Sequence, residues 1–424
     1  MIYIGAGITL GPLGNQSRRF PPSKNRRGPP PLGGPKGRFR HLFEITYLGV
    51  LPKTVGGLHS GTWLQYDGVM PRSLRSILLW LVLGLLLAPG FPGGASAIST
   101  SLPARTAPWP TIEWAISSPQ RQDLDPSGLE EAFSYGEAHR SKAMVVVRRG
   151  FLVKEWYDYG WDKNSTKSGY SVAKSFTSAL IGMLIDEGRI HGLDQLVSDF
   201  VPQWRDAAHG GITIRHLLSM TSGLFCTPTS DYLQLLSASN QSLFAIGLPM
   251  EAQPGQTWEY SNSAVQVLAE VILQASGRQA KDYARERLWP IIGMWNADWT
   301  ADSVGNTLTY QAVVASAREF AKFGYLFLRR GLWVSRRVVS ASWVDESVRP
   351  SQSLNPHYGL LWWSNSGGDW WPAVPADAYA AIGAFNQRIY VVPSLDLVVV
   401  RIGEEDLQWS DNAFLGPICR SVLR

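Results

Sequence analysis

Apolar residues recur at helical spacing in the stretch 169–188, GYSVAKSFTSALIGMLIDEG, at Val172, Phe176, Ala179, Leu180, Met183 and Leu184. This period predicts an amphipathic helix of about four turns. Ser171 then lies at or next to the N-cap of that helix. Because residues three apart share one helix face, we expect the Lys174 amine beside the Ser171 hydroxyl.

Other apolar and turn-forming segments predict a mixed α/β (α+β) fold. β-prone runs at 143–147 and 151–156 flank the turn 148–150, and runs at 388–392 and 397–402 flank 393–396, so each pair predicts a hairpin. Helical periodicity occurs at 126–139, 214–220, 263–277, 315–330 and 410–423. We expect an antiparallel sheet flanked by helices, with an all-helical lobe, residues 190–348, inserted between the hairpins. The Ser171 helix and the polar loop 157–170 would border a pocket where the two regions meet.

The first 97 of the 424 residues differ from the rest in charge. They hold 11 of the 39 Lys and Arg but 2 of the 34 Asp and Glu, so residues 98–424 carry a net charge of −4, against +5 for the whole chain. A mildly acidic domain argues against a nucleic-acid partner.

Residues 70–97 have the pattern of a signal peptide. Arg72 and Arg75 precede the apolar run 77–87, and Ala95-Ser96-Ala97 closes it as a cleavage site. We expect an exported domain, 98–424, that is periplasmic or secreted, with no stable membrane insertion after cleavage. An uncleaved anchor is the alternative. Residues 1–69, rich in Pro, Gly and Arg, are predicted to be disordered or to precede the true start at Met70.

Cysteine and histidine usage gives no indication of a metal site. Cys226 and Cys419 suit a disulfide or two free buried thiols about equally. His209 and His216 lie too far apart for a helical ligand pair, so we interpret them as structural. The sequence also has no glycine-rich phosphate loop. We expect no cofactor, and the oligomeric state stays open.

Lys174 is unusual in the first turn of a helix. A capping box has Glu or Gln at this position, and the helix dipole disfavours a cation here by roughly 0.3 to 1 kcal/mol. A lysine acts as a base toward a nucleophilic serine when its protonated form is disfavoured. Lowering its pKa from about 10.4 to about 7 requires roughly 4.6 kcal/mol, so desolvation or another group has to add to the dipole. A capping serine and a solvated lysine are the alternative interpretation.

A second polar motif, Tyr260-Ser261-Asn262, directly precedes another predicted helix. A core tyrosine and a helix cap are the structural interpretations of Tyr260 and Asn262. With Ser171-Val172-Ala173-Lys174, the motif occurs in an order and context that resemble the serine β-lactamase and penicillin-binding-protein superfamily. The similarity is greatest to the class C-like branch, which includes D,D-carboxypeptidases, family VIII esterases and 6-aminohexanoate-dimer hydrolases. It extends over about 123–403 and includes GMLIDEGRIHGLDQLVSDFVPQW, ITIRHLLSMTSGL and GAFNQRIYVVPSLDLVVV.

The resemblance implies a β-lactamase/transpeptidase-like fold with the active site between an α/β lobe and an all-helical lobe. It also implies roles for four residues. Ser171 would be the acylated nucleophile, and Lys174 would take or hold its proton. Tyr260 would act with Lys174 as a general acid/base relay, and Asn262 would orient Lys174 or a substrate amide.

A third family element, usually K-T-G or H-x-G, aligns with Ala381-Ile382-Gly383. The resemblance implies that Gly383 lets substrate approach the strand edge and that the backbone N–H groups of Ser171 and Ala384 form an oxyanion hole. Ala381 replaces the basic residue that holds a substrate carboxylate in β-lactamases and D,D-peptidases. This departure favours a neutral ester or amide. Arg388 is a candidate substitute, although we expect its side chain to face solvent.

Aromatic residues cluster near the third element at Trp362, Trp363, Trp370, Trp371, Tyr379 and Phe385. We expect most of them to pack in the core and one or two to line an apolar substrate pocket. The preferred hypothesis is an exported serine hydrolase that acts on a small-molecule ester or amide through a Ser171 acyl-enzyme. The alternatives are a β-lactamase or D,D-carboxypeptidase that acts on cell-wall-like substrates, and a non-catalytic penicillin-binding-like sensor.

Overall fold

The computed structural model describes residues 107–423. The predicted segments 1–69 and 70–97 lie outside the described residues, so the interpretation of 70–97 as a signal peptide stays a prediction. Within 107–423, no helix is both long and apolar enough to cross a membrane.

The helices of the described region are α1 (Pro126–Ala138), α2 (Ala173–Asp186), α3 (Ile214–Leu218), α4 (Leu235–Ser237), α5 (Gln241–Ile246), α6 (Asn262–Ser276), α7 (Ala280–Arg287), α8 (Trp289–Ile292), α9 (Ala317–Leu328), α10 (Ala341–Ser347) and α11 (Asp411–Arg420). The strands are β1 (Ser141–Arg148), β2 (Phe151–Tyr157), β3 (Thr166–Ser168), β4 (Asp298–Trp299), β5 (Val313–Ser316), β6 (Leu332–Trp333), β7 (Arg336–Arg337), β8 (Trp363–Ser364), β9 (Tyr379–Gly383), β10 (Gln387–Val392) and β11 (Leu397–Gly403). A 3₁₀ turn at Tyr170–Val172 precedes α2, and a π-helical turn at Ser230–Gln234 precedes α4.

The main sheet has six antiparallel strands in the order β2-β1-β11-β10-β9-β8. Both predicted hairpins are present, as β1–β2 and β10–β11. β1 pairs with β11, with Val145 opposite Val400, so the two ends of the described region close the sheet as predicted. Two smaller sheets have the orders β3-β5-β4 and β6-β7. The predicted fold class is confirmed.

Both faces of the main sheet are covered. Val145 and Val147 of β1 belong to a core cluster with residues of α2, α6 and α9. Met144 and Val146, which alternate with them, belong to a second cluster with residues of α1 and α11. Successive side chains of a strand point to opposite faces, so residues 143–147 of β1 form a continuous apolar run because each face meets a layer of helices.

The helix α2, which follows Ser171, has the predicted length but a different environment. Every residue from 173 to 184 is buried, so the prediction of an amphipathic helix is wrong. The helix lies inside the molecule, where it contacts α6, α7 and β9. Its polar side chains have internal partners: Ser175 donates to the Leu361 carbonyl at 2.8 Å and Thr177 to the Thr309 carbonyl at 2.7 Å.

Two further segments differ from their predictions. The loop 157–170 contains β3, which pairs with β5. The helix expected from residue 315 begins at Ala317 because the residues before it form β5, whose last residue Ser316 makes a capping box with Glu319. The predicted helical range 190–348 holds α3 to α10 together with the short strands β4 to β7.

The turn between β9 and β10 is strained and is held by a buried arginine. Phe385 and Asn386 both have positive φ, 57° and 60°, which costs energy for a bulky residue such as Phe. Arg401 of β11 is fully buried, and its Nη1 donates to the carbonyls of Phe385 at 2.8 Å and Asn386 at 3.0 Å. Its remaining donors reach the Ser141 hydroxyl and the carbonyls of His139 and Glu404. The guanidinium therefore ties this turn to the start of β1 and the end of β11.

We expect Arg401→Met to destabilise the protein by at least about 3 kcal/mol, because several buried carbonyls lose their donor at once. Urea denaturation monitored by tryptophan fluorescence measures the difference. Arg420→Met is the matched control, since Arg420 is exposed on α11 and its ion pair within residues 107–423 is with the exposed Glu131. Its effect should stay within about 0.5 kcal/mol. Equal stability of the two variants would contradict the structural role of Arg401.

Candidate active site

Ser171 lies in the 3₁₀ turn between β3 and the first residue of α2. The N-cap position of α2 is held by Val172, so Ser171 lies next to the cap, as predicted, and is not itself the capping residue. The interpretation of Ser171 as a capping serine is therefore wrong. Ser171 is partly accessible, whereas the helix that follows is buried, so its hydroxyl lies at the boundary between the interior and solvent.

The Lys174 amine lies beside the Ser171 hydroxyl, as the spacing predicts. Lys174 Nζ is 3.1 Å from Ser171 Oγ, 2.6 Å from Asn262 Oδ1 and 2.9 Å from the Tyr310 carbonyl oxygen. Asn262 Oδ1 and the carbonyl oxygen are acceptors only, whereas the serine hydroxyl can also donate. The three contacts therefore differ in chemistry. Two of the neighbours can only accept a hydrogen bond from the amine, whereas the third can also donate its proton to it.

Burial changes the acidity of this amine. The side chain of Lys174 is 2% exposed, and desolvation lowers its pKa to about 7, although the charge of Asp231 acts to raise it. A shift of this size corresponds to about 5 kcal/mol at 1.36 kcal/mol per pKa unit. Desolvation thus supplies the free energy that the helix dipole alone does not. The interpretation of Lys174 as a solvated lysine is wrong.

Tyr260 contacts both members of the Ser171–Lys174 pair. The centroid of its ring is 4.7 Å from Lys174 Nζ. Burial raises the pKa of its hydroxyl, and a hydrogen bond with the Ser171 side chain acts in the opposite direction. Trp363 stacks on the Tyr260 ring with the ring centroids 5.8 Å apart, and Tyr358 meets the ring edge-on with the centroids 6.1 Å apart. The phenol is therefore neutral near pH 7 and fixed in orientation.

Asn262 is the first residue of α6 and not its cap. The cap is Ser261, whose side chain accepts from the Ala264 N–H at 3.0 Å. The side chain of Asn262 is consequently free to accept from Lys174. The capping interpretation of Asn262 is wrong, and its contact agrees with the predicted alternative in which it orients Lys174.

The third predicted element, Ala381-Ile382-Gly383, forms the end of β9. A Cβ atom on Gly383 would lie 2.0 Å from the Gly169 carbonyl oxygen. The glycine is therefore required because the chain itself, in the loop before Ser171, approaches the strand here. This contact places the turn that begins with Ala384 beside the 3₁₀ turn of Ser171. The oxyanion role of the Ser171 and Ala384 N–H groups stays a prediction.

Arg388 does not face solvent, so that prediction is wrong. It lies opposite Ile382 in the β9–β10 pair, and its side chain is 10% exposed. Its Nε is 2.9 Å from Asp411 Oδ1, and its Nη1 donates to the Gly383 carbonyl at 3.2 Å. Because Ala381 and Ile382 point to opposite faces of the sheet, Arg388 is on the face away from Ala381. It does not replace the missing basic residue.

Sequence reasoning missed two groups that act on Lys174. One is the backbone carbonyl of Tyr310, which no side-chain motif reveals. The other is Asp231 in the π-helical turn, which is fully buried and accepts from the N–H groups of Asn262 and Ser263. A lone aspartate in a predicted helical region gave no indication of this role. Its spacing from Tyr260 is too long for any local pattern.

The remaining candidates have structural environments. Cys226 and Cys419 are free thiols, and burial raises the pKa of each to about 12. His209 bonds to Asp206 at 2.8 Å, and His216 accepts from the Thr213 N–H at 3.1 Å. Within 107–423, no group of three or more His, Cys, Asp or Glu side chains could hold a metal ion.

Comparison with known proteins agrees with this architecture. The family model "Beta-lactamase" matches residues 129–403. The 6-aminohexanoate-dimer hydrolase of Paenarthrobacter ureafaciens is 24% identical over 301 residues, which cover 63% of this chain and 73% of that protein. Penicillin-binding protein 4* of Bacillus subtilis (strain 168) is 28% identical over 180 residues, or 38% of each chain.

Solved structures share the fold. The structure of EstCE1, a hydrolase with promiscuous acyltransferase activity, superposes with a TM-score of 0.58 at 16% identity and covers 70% of this chain and 99% of its own. The predicted resemblance is confirmed, because the family model spans most of the described region and includes every residue of the candidate site. The chain belongs to the beta-lactamase family of serine hydrolases.

Proposed function

We propose that the protein cleaves an ester or amide bond in a neutral small molecule through an acyl-enzyme on Ser171. One observation carries this proposal. A neutral amine has two N–H groups and one lone pair, and Asn262 Oδ1 and the Tyr310 carbonyl accept from two directions around Lys174 Nζ. The lone pair is left for the third neighbour, the Ser171 hydroxyl at 3.1 Å. This is the arrangement of a general base next to its nucleophile.

The proposed reaction begins when Lys174 takes the Ser171 proton and Ser171 Oγ attacks the substrate carbonyl carbon. The backbone N–H groups of Ser171 and Ala384 stabilise the negative charge on the carbonyl oxygen. The proton passes through Lys174 and Tyr260 to the leaving alcohol or amine as its bond to carbon breaks. Water then attacks the acyl carbon and gives a proton to the same pair. The bond between that carbon and Ser171 Oγ breaks, the pair returns the proton to Ser171 Oγ, and the carboxylic acid leaves.

A neutral substrate fits the charges around the site. Ala381 offers no positive charge to a substrate carboxylate, and Arg388 is paired with Asp411 on the other face of the sheet. Half-buried Trp363 stacks on Tyr260, and Trp370 follows at 4.8 Å from Trp363, which extends an apolar surface outward from the site. The relative named for hydrolysis of a 6-aminohexanoate dimer makes a linear amide one candidate.

Action on cell-wall-like substrates is the second candidate, because a relative is a penicillin-binding protein. Incubation with a β-lactam followed by intact-mass measurement distinguishes the two. A lasting adduct on Ser171 would favour this candidate, and its absence would favour the neutral ester or amide. Export of the domain, which we also propose, rests on the sequence of residues 70–97.

Rapid mixing with a chromogenic short-chain acyl ester tests the acyl-enzyme directly. We expect a burst of product equal to the enzyme concentration and its loss in Ser171→Ala.

Lys174→Ala and Tyr260→Phe should each lower the acylation rate at least about a hundredfold, since each removes an acid/base group. Circular dichroism of each variant controls for folding. Near-normal acylation in either variant would remove that residue from the mechanism. In a folded wild-type protein, neither turnover nor adduct with ester or amide probes would favour a non-catalytic sensor.

The pH dependence of acylation should report the protonation of Lys174. Burial lowers the pKa of this amine to about 7, so it is protonated and inactive as a base below that pH and neutral above it. We expect the acylation rate to rise with pH through about 7, and to be about a tenth of its plateau at pH 6. Burst rates between about pH 5 and pH 9 provide the measurement. A rate that is almost constant over this range would instead indicate a carboxylate base, with a pKa near about 4, and a rate that still rises about tenfold per pH unit at pH 9 a solvated lysine, with a pKa near about 10.

A further inference from the structure

The buried carboxylate of Asp231 lies under the N-terminus of α6. It accepts hydrogen bonds from the Asn262 N–H, from the Ser263 N–H at 3.0 Å and from the Ser263 hydroxyl at 2.6 Å. Ser261 already caps α6 through the Ala264 N–H, so Asp231 adds a second set of contacts to the first turn. Burying a carboxylate costs free energy of desolvation, and a helix that already has a cap does not need this second set of contacts. The burial of Asp231 therefore indicates a further role for this residue.

Two hydrogen bonds connect Asp231 to the Lys174 amine. The carboxylate binds the backbone of Asn262, and the side chain of the same residue accepts from Lys174 Nζ at 2.6 Å. Asn262 is 4% exposed, so its side chain has little freedom once the backbone is fixed. Loss of the carboxylate would therefore move the acceptor that orients Lys174 toward Ser171.

The same carboxylate acts on Lys174 through its charge. Polar groups from four segments surround the amine. They are Ser171 in the turn before α2, Tyr260 and Asn262 at the start of α6, Tyr310 before β5, and Asp231 and Tyr232 in the π-helical turn. Burial raises the pKa of all three tyrosines, so they are neutral near pH 7. Among the described residues, Asp231 is the charged group that acts on the pKa of Lys174, and it raises it against the effect of burial.

We propose that Asp231 is a positioning residue for the Lys174 base: its hydrogen bonds fix Asn262 so that the amine faces Ser171, and its negative charge tunes the electrostatics of the amine. This assignment rests on the proposed function, in which Lys174 is the general base. A carboxylate that only stabilised α6 would leave the pH dependence of acylation unchanged. The two roles are therefore separable by experiment.

Asp231→Asn keeps the size of the side chain and removes its charge. Without the negative charge, protonation of Lys174 becomes less favourable, so the midpoint of the pH–acylation curve should move down by at least about 0.5 pH unit. The plateau rate should also fall at least about tenfold, because an NH₂ group replaces one of the two carboxylate oxygens and the side chain can no longer accept from both Asn262 and Ser263. An unchanged midpoint in a folded Asp231→Asn protein would overturn the electrostatic part of the proposal.

Ser263→Ala is the matched variant and covers the case in which Asp231→Asn does not fold. It removes one hydrogen bond to the carboxylate and keeps the charge. We expect its midpoint to stay within about 0.2 pH unit of the wild type while its plateau rate falls by about three- to tenfold. A wild-type plateau rate in this variant would overturn the positioning part, and a midpoint shift as large as that of Asp231→Asn would assign the effect to packing instead of charge.

A measurement that needs no turnover separates this proposal from the proposed function. The ¹³Cε resonance of Lys174, assigned by its loss in Lys174→Ala, gives the titration midpoint of the amine directly in lysine-labelled protein. If the wild type forms no acyl-enzyme but the midpoint is lower in Asp231→Asn, the proposed function fails and the action of Asp231 on Lys174 stands. If the acyl-enzyme forms, but Asp231→Asn changes neither the midpoint of the pH–acylation curve nor that of the ¹³Cε titration, only the assignment of Asp231 fails.

Discussion

The candidate site depends on keeping the Lys174 amine out of water. Its side chain is 2% exposed, and this burial favours the neutral amine over the ammonium. A neutral amine in the interior still needs acceptors for its two N–H groups, and Asn262 and Tyr310 supply them from different parts of the chain. Burial therefore selects the basic form, and the acceptors select its direction. The reactivity that we propose for Ser171 therefore depends on tertiary packing around α2.

The features that the sequence predicts well are those set by neighbouring residues. The spacing of Ser171 and Lys174 puts their side chains on the same side of the turn that leads into α2, and the amine lies 3.1 Å from the hydroxyl. The hairpins β1–β2 and β10–β11 follow from β-prone runs that flank short turns, and their pairing in turn closes the sheet. The architecture was therefore predictable, although the residues that tune the base were not.

The failures have a common physical cause, which is contact between segments far apart in sequence. Residues of α2 that the sequence pattern assigns to a solvent-facing side are buried because α6, α7 and β9 pack against the helix. Arg388 was expected in solvent, but Asp411 of α11 neutralises it inside the protein. Asp231 reaches α6 from a π-helical turn, and Tyr310 contributes only a backbone carbonyl. No local periodicity encodes contacts of these kinds.

The electrostatics that favour the proposed role of Lys174 as a base also bear on the substrate. An anionic group bound beside the amine would stabilise the ammonium and raise the pKa of Lys174, so less of the amine would be neutral and able to take a proton near pH 7. Enzymes that bind anions can offset this effect with a cation, but here Ala381 carries no charge and Arg388 is paired on the far face of the sheet. The buried Asp231 already supplies one negative charge near the amine. A second one, from substrate, would work against catalysis, which supports a neutral ester or amide as the substrate.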